Sequence, residues 1–339
     1  MQTGPYNALT DVPGLRVGHA SLAGPGALSG TTVVVAPPDG AVGGVDLRGW
    51  APGTRETDLL DPGRMVQRVH AVVLTGGSSY GLAAVDGVMA RLEAQGCGFA
   101  VPGGVVPIVP AAAICDLGRG GDPGVHPDGS TGAAAFDAAS TGPVAQGSVG
   151  AGTGAVAGGL KGGVGTASTV LDGGAVVAAL VVVESAGSGV DPATGALRGA
   201  RAGLPGEFPD GAMHEAGRSA LLAAAASPPT ADPATTLAVV ATDLALDKAG
   251  CARLAAMGHD GLTRAIPAGD TGTDAGVVFG LSTAGGPAPG MLDLFVLHAA
   301  AADVVSRAVA HALLAASTVS TDAGSWPGYG DLAIRAVSD

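Results

Sequence analysis

Short apolar runs alternate with Gly-, Pro- and Asp-rich breaks along most of this chain. The runs at 31–36 (TTVVVA), 41–47, 70–74, 175–183 and 277–283 have strand length and almost no polar interruption, which predicts buried strands. The apolar run 107–116 ends at Cys115-Asp116, and a glycine-heavy strand pair is expected at 148–159. A helical period appears instead at Leu82, Val85, Val88, Met89 and Leu92, predicting a helix over 82–93. Helices are likewise expected at 133–140, 214–226, 247–264 and 292–317, and polar loops at 48–58, 268–276 and 324–331. Strands outnumber helices, and the helices at 82–93 and 292–317 are placed to cover opposite faces of packed sheets. That is an α/β layered architecture. No shift in composition marks a domain boundary. The 196–234 segment is the one long irregular stretch, and a loop of that length needs a reason.

That segment ends in the Pro-rich run 227–233, which leads straight into the apolar strand Leu237-Ala238-Val239-Val240-Ala241. Thr235 and Thr236 stand at the junction. A hydroxyl held where a loop becomes a strand can attack the carbonyl before it. If the chain were cut there, the freed α-amine of Thr235 would be its own base, since such amines titrate at about 7.7–8.0 in peptides. Thr also suits strands for packing reasons alone, so the junction by itself leaves both readings open.

Composition narrows the classes. Charged residues are 13% and the net charge is −13, with no Lys/Arg cluster, which argues against nucleic acid or an anionic membrane surface as partner. Aromatics are only 3%, so the core must be built from Ala, Val and Leu. Cys97, Cys115 and Cys251 are far apart and not in CxxC spacing, which suggests a reducing compartment and gives no zinc signature. No metal or cofactor is expected. The first residues lack a basic and apolar leader pattern, and the longest central apolar run has nine residues, so a cytoplasmic protein is expected.

Two further features carry possible chemistry. Lys161 lies among glycines and apolar strands, with Lys248 the next lysine, and is a candidate for placing positive charge in a cleft, although a snorkelling surface lysine fits the spacing too. Gly77-Ser78-Ser79-Tyr80-Gly81 matches the GxSxG nucleophile elbow between a strand and a helix. No HGGG motif precedes it, and a tight turn needing glycine explains the same residues. The loop charges Arg48, Arg55, Glu56 and Asp58 read as surface ion pairs.

Several stretches, taken in order, resemble one family. They are Leu9-Thr10-Asp11-Val12-Pro13-Gly14, Ala51-Pro52-Gly53-Thr54-Arg55-Glu56-Thr57-Asp58, Leu74-Thr75-Gly76-Gly77-Ser78-Ser79-Tyr80-Gly81, Gly104-Val105-Val106-Pro107, Leu160-Lys161-Gly162-Gly163-Val164-Gly165-Thr166, and Ala241-Thr242-Asp243 with His259-Asp260-Gly261. Together they are similar to the self-processing L-aminopeptidase/D-esterase family, which includes β-peptidyl aminopeptidases and nylon-oligomer hydrolases. The resemblance implies a single four-layer αββα sandwich of the N-terminal-nucleophile type. It implies cleavage between Ala234 and Thr235 into fragments 1–234 and 235–339, which assemble into a homo-oligomer, often a tetramer. The substrates implied are short peptides or related amides and esters.

By the same resemblance Thr235 is the nucleophile, Lys161 the family lysine and Asp274 the first carboxylate of an Asp-Gly-Asp loop. Four positions differ from the family pattern. Ala234 stands where Asn or Gly usually precedes the nucleophile. Glu184 replaces an oxyanion-side Asn, Gly276 replaces the second Asp, and Cys115 replaces a Tyr. Cys115 and Tyr80 are the weaker pocket candidates. The changed positions motivate an alternative, a catalytically impaired protein of the same fold that binds or assembles. An acyltransferase or a GxSxG esterase remain further alternatives.

Overall fold

The computed structural model describes residues 1–209, 215–225, 234–267 and 274–335; among these, the side chains of 215, 216, 224, 225, 274 and 333–335 lie outside the description. Two sheets form the centre. The five-stranded sheet runs in the order Arg16–Gly24, Ala27–Val35, Ala71–Thr75, Ala111–Ala113 and Gly53–Arg55. The six-stranded sheet runs Gly163–Val170, Val176–Val183, Ala234–Thr242, Asp274–Ser282, Ala41–Arg48 and Arg68–Val69. Its two central strands, Ala234–Thr242 and Asp274–Ser282, are parallel, and the other pairs in it are antiparallel. The strand Ala234–Thr242 is buried at every position, as its unbroken apolar sequence requires of a strand covered on both faces.

Three apolar layers hold these sheets in a four-layer αββα sandwich. Alternate residues of the facing strands, among them Val34, Leu74, Leu180, Leu237, Val239 and Phe279, meet between the sheets. The helix Ala84–Ala94 covers the five-stranded sheet through Val85, Val88 and Leu92. The helices Lys248–Ala265 and Met291–Ala315 cover the six-stranded sheet. Small residues allow the close approach. A Cβ on Gly165 would lie 2.0 Å from the Ala308 carbonyl oxygen, and one on Gly280 2.1 Å from that of Cys251, so both helices rest on bare backbone. This is how a chain with so few rings fills its core.

Local differences from the expected pattern have physical causes. Within 107–116 only Ala111–Ala113 is strand, because Pro107 and Pro110 bring no N–H donor. The 148–159 stretch forms a 3-10 turn at Gly150–Gly152 and a short strand Val156–Ala157. Gly150 has φ +51 and packs against Thr32 and His19, leaving no space for a side chain. The expected loop at 48–58 contains the strand Gly53–Arg55, and 324–331 contains the hairpin strand Gly324–Trp326 and the start of the helix Tyr329–Arg335. Among the described residues no helix is long and apolar enough to cross a membrane.

Candidate active site

One end of the six-stranded sheet collects the candidate residues. Ala234 and Asp274 open the two parallel strands and are paired in register. The neighbouring antiparallel strand pairs Val182 with Leu237, and that register continued by two residues brings Glu184 beside Thr235. The Thr236 hydroxyl donates to the Glu184 carbonyl oxygen at 2.7 Å, which fixes this approach. Thr235 and Thr236 are both buried. Successive side chains on a strand alternate in face, so Thr235 shares the inter-sheet face with Leu237 and Val239. The Thr236 hydroxyl is committed to Glu184; among the described residues no hydrogen bond engages that of Thr235.

Lys161 is fully buried, and its ammonium donates to the carbonyl oxygens of Gly152, Ala155 and Gly162 at 2.8, 2.8 and 2.9 Å. These three bonds use all three donors of the charged form. Burial pushes the Lys161 pKa down to about 7, against the opposing attraction of Glu184. The residue therefore supplies charge and loop geometry, with no N–H left over for another acceptor.

Glu184 is not alone. Arg119 donates to both of its carboxylate oxygens, at 2.7 and 2.8 Å, and to the Gly154 carbonyl at 2.8 Å. The Val156 N–H adds a bond of 3.2 Å to Glu184. With both oxygens accepting, Glu184 does not take over the donor role of the Asn it replaces. Asp116 completes the cluster. Its Oδ1 accepts from the Gly77 N–H at 2.6 Å and from Ser29 at 3.2 Å, while its buried Oδ2 has no partner among the described residues. Burial pushes the Asp116 carboxyl up to about 6. Glu184, Arg119 and Asp116 all act electrostatically on Lys161, which marks one connected charge cluster.

Cys115 joins this cluster. Burial, and then the charge of Glu184, raise its thiol pKa, while a bond with Ser78 acts the other way. Tyr80 is exposed and stacks on His126 at 5.1 Å, and none of its described contacts reaches the cluster. In the GxSxG turn the left-handed residues are Gly77 and Ser78, at φ +79 and +53, whereas Ser79 is an exposed helical residue. At the position of the missing second Asp, a Cβ on Gly276 would lie 2.2 Å from His259 Nε2, so the histidine ring uses the space of a side chain there. His259 Nδ1 lies 2.8 Å from Asp46. The side chain of Asp274 lies outside the described residues, as do 226–233 on the far side of the Ala234–Thr235 bond.

Arg119 and Asp116 were not singled out in the sequence. The available signal was the buried charge itself. A glutamate at the end of the Val-rich strand 176–183 needs a cation, and Arg119 is an arginine inside a Gly-rich loop.

Layers and sheet order define the fold class, that of the N-terminal-nucleophile hydrolases. Two solved structures share it. A β-aminopeptidase of Burkholderia sp. superposes with a TM-score of 0.75 at 25% identity, covering 100% of this chain and 96% of that one. The L-aminopeptidase D-Ala-esterase/amidase of Ochrobactrum anthropi also gives 0.75, at 22% identity, covering 99% and 94%. An uncharacterized aminopeptidase of Mycobacterium tuberculosis is 48% identical over 335 residues, spanning 93% of this chain and 95% of that protein. A 6-aminohexanoate-oligomer endohydrolase of Kocuria sp. is 38% identical over 161 residues, spanning 46% of this chain and 40% of that protein. The model of Peptidase family S58 matches residues 7–326, and the chain belongs to that family.

Proposed function

We propose that this chain is an autoproteolytic N-terminal-threonine hydrolase, an aminopeptidase acting on the N-terminal amide of short peptides or on related amides and esters. The observation that carries the reading is the sheet-end register, in which Ala234 pairs with Asp274 and Thr235 lies beside Glu184 while, among the described residues, no hydrogen bond engages its hydroxyl. In processing, Thr235 Oγ attacks the Ala234 carbonyl carbon, the C–N bond breaks and an ester forms. Water then hydrolyses the ester, leaving fragments 1–234 and 235–339 and a free α-amine on Thr235. In the mature enzyme that amine takes the hydroxyl proton as Oγ attacks the substrate carbonyl, and later returns it to the leaving amine. The Lys161 charge stabilises developing negative charge through space. Asp274 orients the amine. The two fragments form one αββα domain and assemble into a homo-oligomer.

A second reading has its own observation. All three Lys161 donors and both Glu184 oxygens are taken by protein groups. A site so committed also fits a catalytically impaired, unprocessed protein that binds or assembles.

Intact mass after long incubation separates the two. The expected result is two fragments split at Ala234–Thr235, a single intact chain in Thr235→Ala, and hydrolysis of aminoacyl amides lost in that variant. A parent chain that stays whole and inactive supports the second reading. Loss of ester hydrolysis in Ser79→Ala with Thr235→Ala still active would reassign the nucleophile to the GxSxG turn.

A further inference from the structure

A short crossing joins the two sheets at the end where Thr235 lies. The strand Ala41–Arg48 belongs to the six-stranded sheet, and the next strand, Gly53–Arg55, belongs to the five-stranded one. Arg48 pairs with Gly276, and Gly53 pairs with Ala113, two residues before Cys115. Residues 49–52 therefore pass from sheet to sheet beside the candidate site, with Gly49 at φ +91 making the turn. Gly53–Arg55 is the edge of its sheet. Ala41–Arg48 is also an edge at this end, because Arg68–Val69 pairs with it only at Ala41 and Val42. The crossing thus closes the flank between the two sheets. Thr235 pairs with Ala275, and the neighbouring Gly276 pairs with Arg48, so Thr235 is two strands from the start of the crossing. At about 4.8 Å per strand that is about 10 Å.

The crossing carries Trp50, which is 86% exposed and takes part in none of the ring contacts found among the described residues. A bare indole is a large apolar surface left in water. Leu47 just before it is 41% exposed. Val45 packs between the sheets, and side chains alternate along a strand, so Leu47 faces the same inter-sheet space as Thr235. On the other sheet a Cβ on Gly53 would lie 3.5 Å from Ser79 Oγ, which brings the turn bearing the exposed Tyr80 against the crossing.

We propose that Trp50 is a specificity-determining residue that selects substrates with an aromatic N-terminal residue, whose ring stacks on the indole beside Leu47. The proposal rests on Thr235 as the nucleophile. The Cα next to an attacked carbonyl lies within about 4 Å of it, and a benzyl side chain spans much of the remaining distance to Trp50. The N-terminal residue is the part shared by peptides, amides and esters, so it is the part a fixed wall can read. An indole face attracts a second ring beyond simple burial, and the apolar Leu47 favours a neutral ring over a guanidinium that would lose its water there.

Two measurements test this. In initial rates, kcat/KM for phenylalaninamide is expected to exceed that for alaninamide by at least about tenfold. Trp50→Ala should bring the two within about threefold by raising KM for phenylalaninamide, and Trp50→Phe should restore most of the preference. The second measurement is independent of turnover. The chain has two tryptophans, so Trp326→Phe leaves Trp50 as the one reporter. Phenylalaninol, which has no amide to cleave, should shift its emission saturably, whereas alaninol should not. A chain that hydrolyses no amide yet shows this shift loses the hydrolase reading and keeps Trp50 as a recognition residue. The proposal is overturned by an absent shift, by equal kcat/KM for the two amides in the parent, or by a preference retained in Trp50→Ala. An emission that moves to the red on dilution without ligand would assign the indole to contact with a second copy and overturn it as well.

Discussion

Among the described residues two arginine–glutamate pairs are buried, and they are built differently. Arg307 sits on the long helix Met291–Ala315 with its side chain 1% exposed, and Glu207 opposite it is 4% exposed. Arg307 donates twice to Glu207, at 2.7 and 2.8 Å, and also to Thr169, Asn7 and the Ser168 carbonyl. Glu207 further accepts from Asn7, His311 and the Leu204 N–H. Burial opposes its ionisation, yet the bonds from His311, Arg307, Leu204 and Asn7 outweigh it and hold the carboxyl well below the usual range. Arg119 and Glu184 make the same forked contact, but Arg119 is 16% exposed. Around them sit Lys161, at about 7, and Asp116, at about 6 and with one oxygen that has no partner among the described residues. A fully satisfied network fixes a shape. A partly satisfied one, whose groups titrate near neutrality, leaves chemistry available.

The largest effect follows from the satisfied pair. Arg307→Met removes the cation and leaves Glu207 buried without its main partner, a change that typically costs about 3–5 kcal/mol. Urea unfolding will show this as a lower midpoint. Because the pair joins Asn7, Thr169 and Glu207 rather than the sheet-end residues, the folded fraction should still self-cleave at the parent rate. A loss of cleavage per folded molecule would erase the distinction between the two networks.

The site pair responds the other way. Glu184→Gln keeps the size but gives Arg119 only one acceptor oxygen, and Arg119 can recover some hydration because it is partly exposed. A stability loss of about 1–3 kcal/mol is expected, smaller than for Arg307. Cleavage at Ala234–Thr235 should slow by at least about tenfold, since Glu184 adjoins Thr235 and is hydrogen-bonded to Thr236 through its carbonyl. Fragment formation followed on denaturing gels reads the rate. Parent-like processing in Glu184→Gln would make this pair structural as well.

The difference between these pairs was only partly legible in the sequence. The layers were legible, because runs such as 175–183 and the spacing at Leu82, Val85 and Val88 report which faces are buried. The positions of Thr235, Lys161 and Glu184 at one sheet end followed from motif order. Their partners did not. Arg119 reaches Glu184 across 65 residues, and Arg307 reaches Glu207 across 100, so no local spacing encodes either pair. The glycines hid a second layer of meaning. Gly276 read as a missing carboxylate, whereas the structure shows a His259 ring in the space its side chain would need. What Glu184 does in place of the oxyanion-side Asn likewise depends on what its oxygens meet, and only the fold brings Arg119 there.

The smallest effect sharpens the comparison through pH. The Asp116 carboxyl is pushed up by burial from 3.8 to about 6. Between those values the native protein keeps a proton that the unfolded chain has released, so the Asp116 contribution to stability falls as pH rises through this window. The penalty is complete above about pH 6. Glu207 has the opposite sign, because its lowered carboxyl stabilises the fold above the unfolded value of 4.5, and that contribution is lost as pH falls below it. Asp116→Asn removes the charge penalty while its amide oxygen can still accept from Gly77. The full shift corresponds to roughly 3 kcal/mol, and the new amide N–H, packed against Gly76 and Gly154, offsets part of it. Asp116→Asn is therefore expected to exceed the parent by about 1–2 kcal/mol at pH 8. At pH 4, where Asp116 is protonated in the native state, that advantage should vanish. Urea midpoints at the two pH values measure it. An equal difference at both would mean that Asp116 is not held against ionisation, and the sheet-end cluster would then be as settled as the Arg307 network.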